Sequence, residues 1–501
     1  MKTASQPTAS YSRSDWQQGY ESQPNEYNYW IEDIEGEIPQ QLHGTLFRNG
    51  PGLLDINGQP IAHPFDGDGM VSAITFRNGK AYYQNRFVRT EGFLAEQKAG
   101  KILYRGVFGT QKPGGWLANI FDMKAKNIAN THIIYWGGKL LALWEGSVPH
   151  QLNPQNLETI GVDHLDGILA SDQPFAAHPR IEPGSDDTRL INFSVEPGLS
   201  TTITIFEFAS DGKLLQKKSH SISGFAFLHD MAITPEYCIF CQNPVQFNPI
   251  PYVLGLRGAA QCLRFDPNQP TKIVLIPRQQ GKEVKIIETD PCFVFHHANA
   301  FTEGNRIYLD SICYDYFPNV EPDTDFREID FEDYPAGKLW RFCIDLDSEQ
   351  VTPELLVRRT CEFPSLHPQN VGQSYRYLYL AATHAPTGNA PLQALLKVDL
   401  QKLQGTSIPA EFDPAAEEGC SQFWSLAPRS FAGEPVFVPH PNATEEDDGW
   451  VLMLTYNAAH HRSDILIFNA KDISPGPIAR LHLKHHVPYG LHGSFVEETF
   501  V

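Results

Sequence analysis

The chain has 501 residues, with 39 Lys and Arg against 59 Asp and Glu, a formal net charge of −20. No basic run interrupts that balance, which excludes a phosphate-tracking nucleic-acid surface. Apolar residues make up 41% and charged residues 20%, so a large buried core is expected and general disorder is excluded.

Residues 1–25 read as a flexible N-terminal tail. Met1 to Tyr20 is rich in Ser, Gln and Thr and lacks the apolar stretch of a signal peptide. No segment reaches the roughly 18 uninterrupted apolar residues of a membrane-spanning helix. The expected location is cytoplasmic.

From residue 26 to 501 the texture is one of short β-like runs separated by turn dipeptides. In chain order these are Val71 to Arg77 before Asn78-Gly79, His132 to Trp136 before Gly137-Gly138, Leu140 to Trp144, and Thr202 to Phe208 before Asp211-Gly212. Arg306 to Tyr314 follows Gly304-Asn305, and Lys338 to Asp345, Arg376 to Ala382, Leu395 to Leu400, Glu434 to Pro439, Trp450 to Tyr456 and Asp464 to Ala470 complete the set. Helical patterning is confined to Gly115 to Asn127 and to short stretches near Leu392 or Thr406. The 38 Gly and 38 Pro are dispersed as turn punctuation, so residues 26–501 read as one domain. Many hairpin-sized strands suit a radial array of four-stranded sheets, which shelters strand edges: an all-β propeller is expected.

The 8 cysteines are dispersed and read as reduced. Cys238 and Cys241 form a CxxC inside a β-like run with no second pair to complete a zinc site, and read as core residues. Asp66 and Asp68 lack the later ligands of a calcium loop and read as a structural turn.

Of the 19 histidines, His132, His150, His164, His220, His440, His460, His461, His482, His485 and His486 stand in polar or turn-like neighbourhoods and read as ordinary. A second group stands in apolar settings: His178 in Ala-Ala-His-Pro-Arg, His229 in Phe-Leu-His-Asp, His296 and His297 in Phe-Val-Phe-His-His-Ala-Asn, and His492 in Leu-His-Gly. Burying an imidazole among such neighbours is costly unless both nitrogens find partners. A metal on one side and a carboxylate on the other supplies both. The residues alone lead no further than a His-rich metal site.

Phe295-His296-His297-x-Asn299 with Leu309-Asp310 resembles the central motif of the carotenoid cleavage oxygenases. Arg48-Asn49-Gly50-Pro51, His63-Pro64-Phe65-Asp66-Gly67-Asp68-Gly69-Met70, Phe227-Leu228-His229-Asp230, Gly433-Glu434-Pro435 and Leu491-His492-Gly493 extend the resemblance in order along the chain. It implies a seven-bladed β-propeller whose short helices and loops cap an axial Fe(II). The implied ligands are His178, His229, His296 and His492, with no carboxylate; His297 is left to structure. Glu145, Glu362 and Glu434 match glutamates that accept hydrogen bonds from three ligand imidazoles, and Thr131 matches a residue crowding one position beside the metal. Phe65, Trp144, Phe227 and Tyr314 are implied polyene contacts, with Phe108 at the entrance.

The implied activity is insertion of both atoms of O2 across one C=C bond of an apocarotenoid or carotenoid, at the 15,15′ position to give retinal. A 9,10-type cut, a stilbene-type substrate, retinyl-ester isomerohydrolysis and a non-enzymatic scaffold are the competing readings. Such substrates reside in membranes, so Gly106 to Phe121 and Pro249 to Leu256 are expected to form an apolar membrane-contacting patch, with Lys112, Lys124 and Lys126 near anionic headgroups. Gln404 to Gln422 is longer than the family pattern and is expected to bear on substrate length.

Overall fold

Side chains alternate between the two faces of a strand, and here both faces are buried. In the sheet containing His132–Trp136 and Lys139–Leu143, Ile133, Leu140 and Ala142 pack against Phe47 and Val71 of the preceding sheet. Ile134, Leu141 and Leu143 pack against Leu190 and Phe206 of the next. The same partition recurs from sheet to sheet, and every residue of Gly449–Asn457 is buried. Burial on two sides is why these strands read as short continuous apolar runs.

The computed structural model describes residues 10–184, 187–279, 281–319, 321–322, 324–403 and 419–501. Among them, seven sheets of four or five strands follow one another along the chain, each joined to the next by an apolar seam. The result is the expected seven-bladed propeller. The inner strands are Gly493–Val496 in blade 1, His132–Trp136 in blade 2, Arg180–Glu182 in blade 3 and Ala232–Ile233 in blade 4. Phe293–Glu303, Cys361–Ser365 and Ser430–Pro439 follow in blades 5, 6 and 7. Two distant segments lock the ring: Gly493–Val496 pairs with Gly44–Leu53 in blade 1, and Ile34–Gly36 extends blade 7 by pairing with Ala479–His482.

Most expected strands are present with shifts of a few residues, and Arg306–Tyr314 and Lys338–Asp345 have the expected bounds. The helix expected over Gly115 to Asn127 shrinks to Trp116–Asn119, because Phe121 turns to positive φ and donates its backbone N–H to Val253. Leu392 begins the strand Leu392–Asp399, whose apolar residues fill the seams of blade 6. Thr406, and Gln404 to Glu418 of the segment expected to bear on substrate length, lie outside the described residues. Among the described residues no cysteine is in a disulfide, and Cys238 and Cys241 are buried in a strand.

Residues 10–25 are not a flexible tail. Ser12 caps a short helix, Arg13–Gln18, and Trp16 is buried against Phe431, Tyr456 and Ala458. Four of the histidines read as ordinary, His150, His482, His485 and His486, are likewise buried, because strand pairing and ring contacts enclose them.

Candidate metal centre

The inner strands of all seven blades converge on one point of the axis. His178 and His229 stand just before the inner strands of blades 3 and 4, His296 lies within that of blade 5, and His492 immediately precedes that of blade 1. Thr131, Glu362 and Glu434 occupy the corresponding places in blades 2, 6 and 7. One ring nitrogen from each of the four histidines lies within 4.8 Å of the other three.

Blades 5, 6 and 7 aim their residues with the same device. Register shifts fall between Val294 and His297, between Glu362 and Ser365, and between Ala432 and Pro435. A bulge re-aims a side chain that strict alternation would send into a seam. In blade 5 it separates the adjacent pair: His296 turns to the axis, whereas His297 stays buried with its Nδ1 2.7 Å from the Ser311 hydroxyl.

Three imidazoles are oriented by carboxylates. His229 Nδ1 lies 2.5 Å from Glu145, His296 Nδ1 2.6 Å from Glu362 and His492 Nδ1 2.8 Å from Glu434. A carboxylate accepts, so each Nδ1 carries the proton and each Nε2 presents a lone pair to the axis. His178 and His229 approach Nε2 to Nε2 at 3.0 Å, and His296 Nε2 is buried with no protein partner. Burial and the neighbouring imidazoles hold His178 far below its usual range, and burial holds His492 at about 4 against the pull of Glu434. For His296 burial also lowers, but Glu362 outweighs it and the net direction is upward. Three converging lone pairs with the His178 Nε2 beside them fit a divalent metal of imidazole preference, with the carboxylates fixing tautomer and ring orientation of three rings from behind.

Residues outside the expected set tie this centre together. Arg180 donates to Asp230 at 2.7 Å and to the carbonyls of Met231 and His297, while His297 N–H donates to Asp230 at 2.8 Å. The chain beside three of the histidines is thereby knitted into one unit. Arg48 pairs with Glu434 and donates to the Leu491 carbonyl, gripping His492 from both sides. His132, read as ordinary, sits between two ligand segments, its nitrogens 2.7 Å from the Ala177 carbonyl and 3.2 Å from that of Gly493. The only hint in the sequence is position: Arg48, Arg180 and Asp230 lie inside or beside the same blocks as the histidines. Thr131 is buried, and its carbonyl accepts from His492 N–H at 3.0 Å.

Against the centre lies a cavity of about 380 Å³ bordered by Glu362, Phe363 and Leu491 and walled by Phe65, Phe108, Phe295 and Tyr314 among others. Tyr314 donates to the second Glu362 oxygen at 2.6 Å. Asp66 accepts from the Phe108 and Thr110 backbone and from the Thr110 hydroxyl, so the turn at residues 66–68 positions Phe108. Trp144 and Phe227 do not border this cavity: Trp144 lies over Gly146 beside a much smaller void, and Phe227 stacks on Phe293 and meets the wall residue Phe317 edge-on.

The two apolar segments meet. Phe121 N–H donates to Val253, Arg105 bonds the Asn119 and Arg257 carbonyls, and Leu117 (70%) and Phe121 (72%) are exposed beside Ile250 and Leu256. Lys126 does not face outward: it is buried between Asp68 and Glu96 at 3.0 and 2.6 Å, because two carboxylates beneath the surface draw it in. Lys112 pairs with Asp122. Among the described residues no helix is long and apolar enough to cross a membrane.

A propeller with a four-imidazole centre beside an aromatic cavity defines a class of metal-dependent enzymes acting on apolar substrates. The chain belongs to the RPE65 (retinal pigment epithelial membrane protein) family, whose model matches residues 20–497. It is 53% identical to the apocarotenoid-15,15′-oxygenase of Synechocystis sp., with 99% of each chain covered. The crystal structure of that organism's cobalt-substituted enzyme superposes with a TM-score of 0.93 at 53% identity, covering 98% of this chain and 100% of the other. The isoeugenol monooxygenase of Pseudomonas nitroreducens is 28% identical, with 93% and 94% covered.

Proposed function

We propose that the protein is an Fe(II) dioxygenase that cleaves an apocarotenoid at its 15,15′ double bond to give retinal. The observation that carries this reading is the cluster of four converging imidazoles beside an aromatic cavity, in a chain 53% identical to an apocarotenoid-15,15′-oxygenase. The relative's cobalt-substituted form supports a divalent ion at the corresponding place. A ferrous ion held by His178, His229, His296 and His492 would supply the redox chemistry by which O2 reacts with a polyene.

The chain's own residues do the rest. Glu145, Glu362 and Glu434 hold three ring planes and keep each Nε2 unprotonated. Thr131, packed against His492, narrows the space on that side. Phe65, Phe295 and Tyr314 solvate an extended polyene and set which double bond lies opposite the centre, and their π-faces favour cationic character developing along it. Both oxygen atoms of O2 end in the two carbonyl products as the C=C bond breaks. A short phenylpropenoid would leave most of the cavity unfilled, which favours the longer substrate.

The substrate enters from a bilayer. The cluster of Leu117, Phe121, Ile250 and Leu256 supports shallow insertion driven by apolar burial. With a net charge of −20 and Lys126 internal, anionic lipid adds little to that attraction. Neutral phosphatidylcholine vesicles should bind the protein as well as anionic ones, and Leu117→Asp with Phe121→Asp should abolish sedimentation with both. The activity is tested by incubating iron-loaded protein with apocarotenals, intact carotenoids and stilbenes and identifying the aldehydes by mass. Retinal from an apocarotenal is expected; cleavage of stilbenes alone would overturn the assignment.

A further inference from the structure

The N-terminal helix reaches the substrate cavity. Trp16 and Tyr20 border it together with Phe431 and Tyr489. Trp16, 5% exposed, meets Phe331 edge-on at 5.1 Å, and Tyr20 meets Phe326 at 4.7 Å and Tyr489 at 4.6 Å. Phe326 continues to His63 and Phe108, so the wall is unbroken from the patch side of the cavity to the helix.

The helix is anchored for this task. Arg429 makes two hydrogen bonds of 2.9 Å to Asp15, Gln17 donates to the Arg327 carbonyl and to Glu328, and Tyr489 N–H donates to the Gly19 carbonyl. Such polar bonds to three separate loops fix the helix in place without adding apolar area. The rings of Trp16 and Tyr20 are the apolar surface it brings.

We propose that Trp16 and Tyr20 are specificity-determining residues: they wall off the cavity and limit the length of polyene it accepts. The proposal rests on the reading of the cavity as a polyene site. Large rigid side chains set a pocket's reach because shortening one leaves a void that a longer ligand fills with buried apolar surface.

The test is binding of three polyene aldehydes of increasing length to metal-free, full-length protein, followed by fluorescence quenching, which separates the wall from the chemistry. Wild type should discriminate against the longest aldehyde. Trp16→Ala, Tyr20→Ala and the double variant should shift the long-to-short affinity ratio at least about tenfold toward the long ligand. Trp16→Phe should keep the wild-type ratio, and the pair Asp15→Asn with Arg429→Gln, which removes one charged anchor of the helix while leaving both rings intact, should shift it in the same direction as Trp16→Ala. Unchanged ratios in the alanine variants, with melting temperatures showing them folded, would overturn the role of these two residues. No binding by any chain, wild type included, would overturn the polyene reading itself.

Discussion

Arg180 and Asp230 form an ion pair at 2.7 Å between the segments that carry His178 and His229. The same Asp230 oxygen accepts the backbone N–H of His297, next to His296. Asp230 is almost fully buried and is held ionised: burial raises its carboxyl, and Arg180 together with His296, His297 and the His297 N–H more than reverses that. Removing one partner of such a pair costs roughly 3–5 kcal/mol, because the other charge is left buried alone. Arg180→Met is therefore expected to lower the melting temperature and to leave less than one metal per chain. Exchange of both partners, Arg180→Met with Asp230→Leu, should recover part of the stability while metal binding stays impaired, since the link to His297 N–H is gone. Metal analysis and calorimetry on the three variants check this.

Glu362 serves two donors, His296 Nδ1 and the Tyr314 hydroxyl. Gln in its place keeps one carbonyl oxygen but removes the charge that makes His296 a strong donor. Loss of such a partner typically costs 10–100-fold in metal affinity or activity. Glu362→Gln is expected to fold normally and fall in that range, with an altered visible spectrum of its cobalt-loaded form. Tyr314→Phe removes only the neutral donor and should change the spectrum less. An unchanged spectrum in Glu362→Gln would show that the carboxylate does not act through the metal.

Three histidines away from the centre predict how the metal-free protein responds to acid. Burial lowers His63 to about 3, and His150 and His485 to about 4. A group whose folded pKa lies below its unfolded value of about 6.5 takes up a proton only when unfolded across that interval, so stability falls as pH drops from 6.5 towards 4. For each such histidine the loss approaches about 1.4 kcal/mol per pH unit across the interval. Urea midpoints should be flat above pH 7 and decline below 6.5. His63→Phe, which keeps a ring among Phe65, Phe108 and Phe326, should make the decline shallower.

The strands were legible because two-sided burial writes apolar runs, and turns write Asn-Gly and Gly-Gly between them. The four histidines were legible through their surroundings and the resemblance those surroundings carry. The bulge that separates His296 from His297 leaves no trace in composition, since it depends on how the partner strand pairs. Arg180, Arg48 and Lys126 were missed or misplaced because their partners are remote in sequence, and an isolated basic residue reads as exposed until its carboxylate is located. Trp16 was missed for a related reason. A short polar helix has no apolar period, and its single large ring becomes core only by landing on Phe331, Phe431 and Tyr456.

Gly493 joins the metal centre to the lock of the ring. Its N–H donates to Glu434 at 2.9 Å, it follows His492 directly, and it pairs with Arg48 in blade 1. A Cβ built there would stand 2.1 Å from the Phe47 carbonyl oxygen and 2.8 Å from Arg48 Cδ. The carbonyl belongs to a paired strand and cannot yield, so the C-terminal strand must move away from Gly44–Leu53, towards the axis, and take His492 with it. Overpacking of this kind costs about 1–3 kcal/mol, and the displacement falls on a ligand. Gly493→Ala should lose metal more severely than it loses stability, whereas Gly304→Ala, in an open turn with nothing within 4 Å of the new Cβ, should retain its metal despite the strain of a positive φ. Equal metal content in the two variants would show that this close approach is not what places His492.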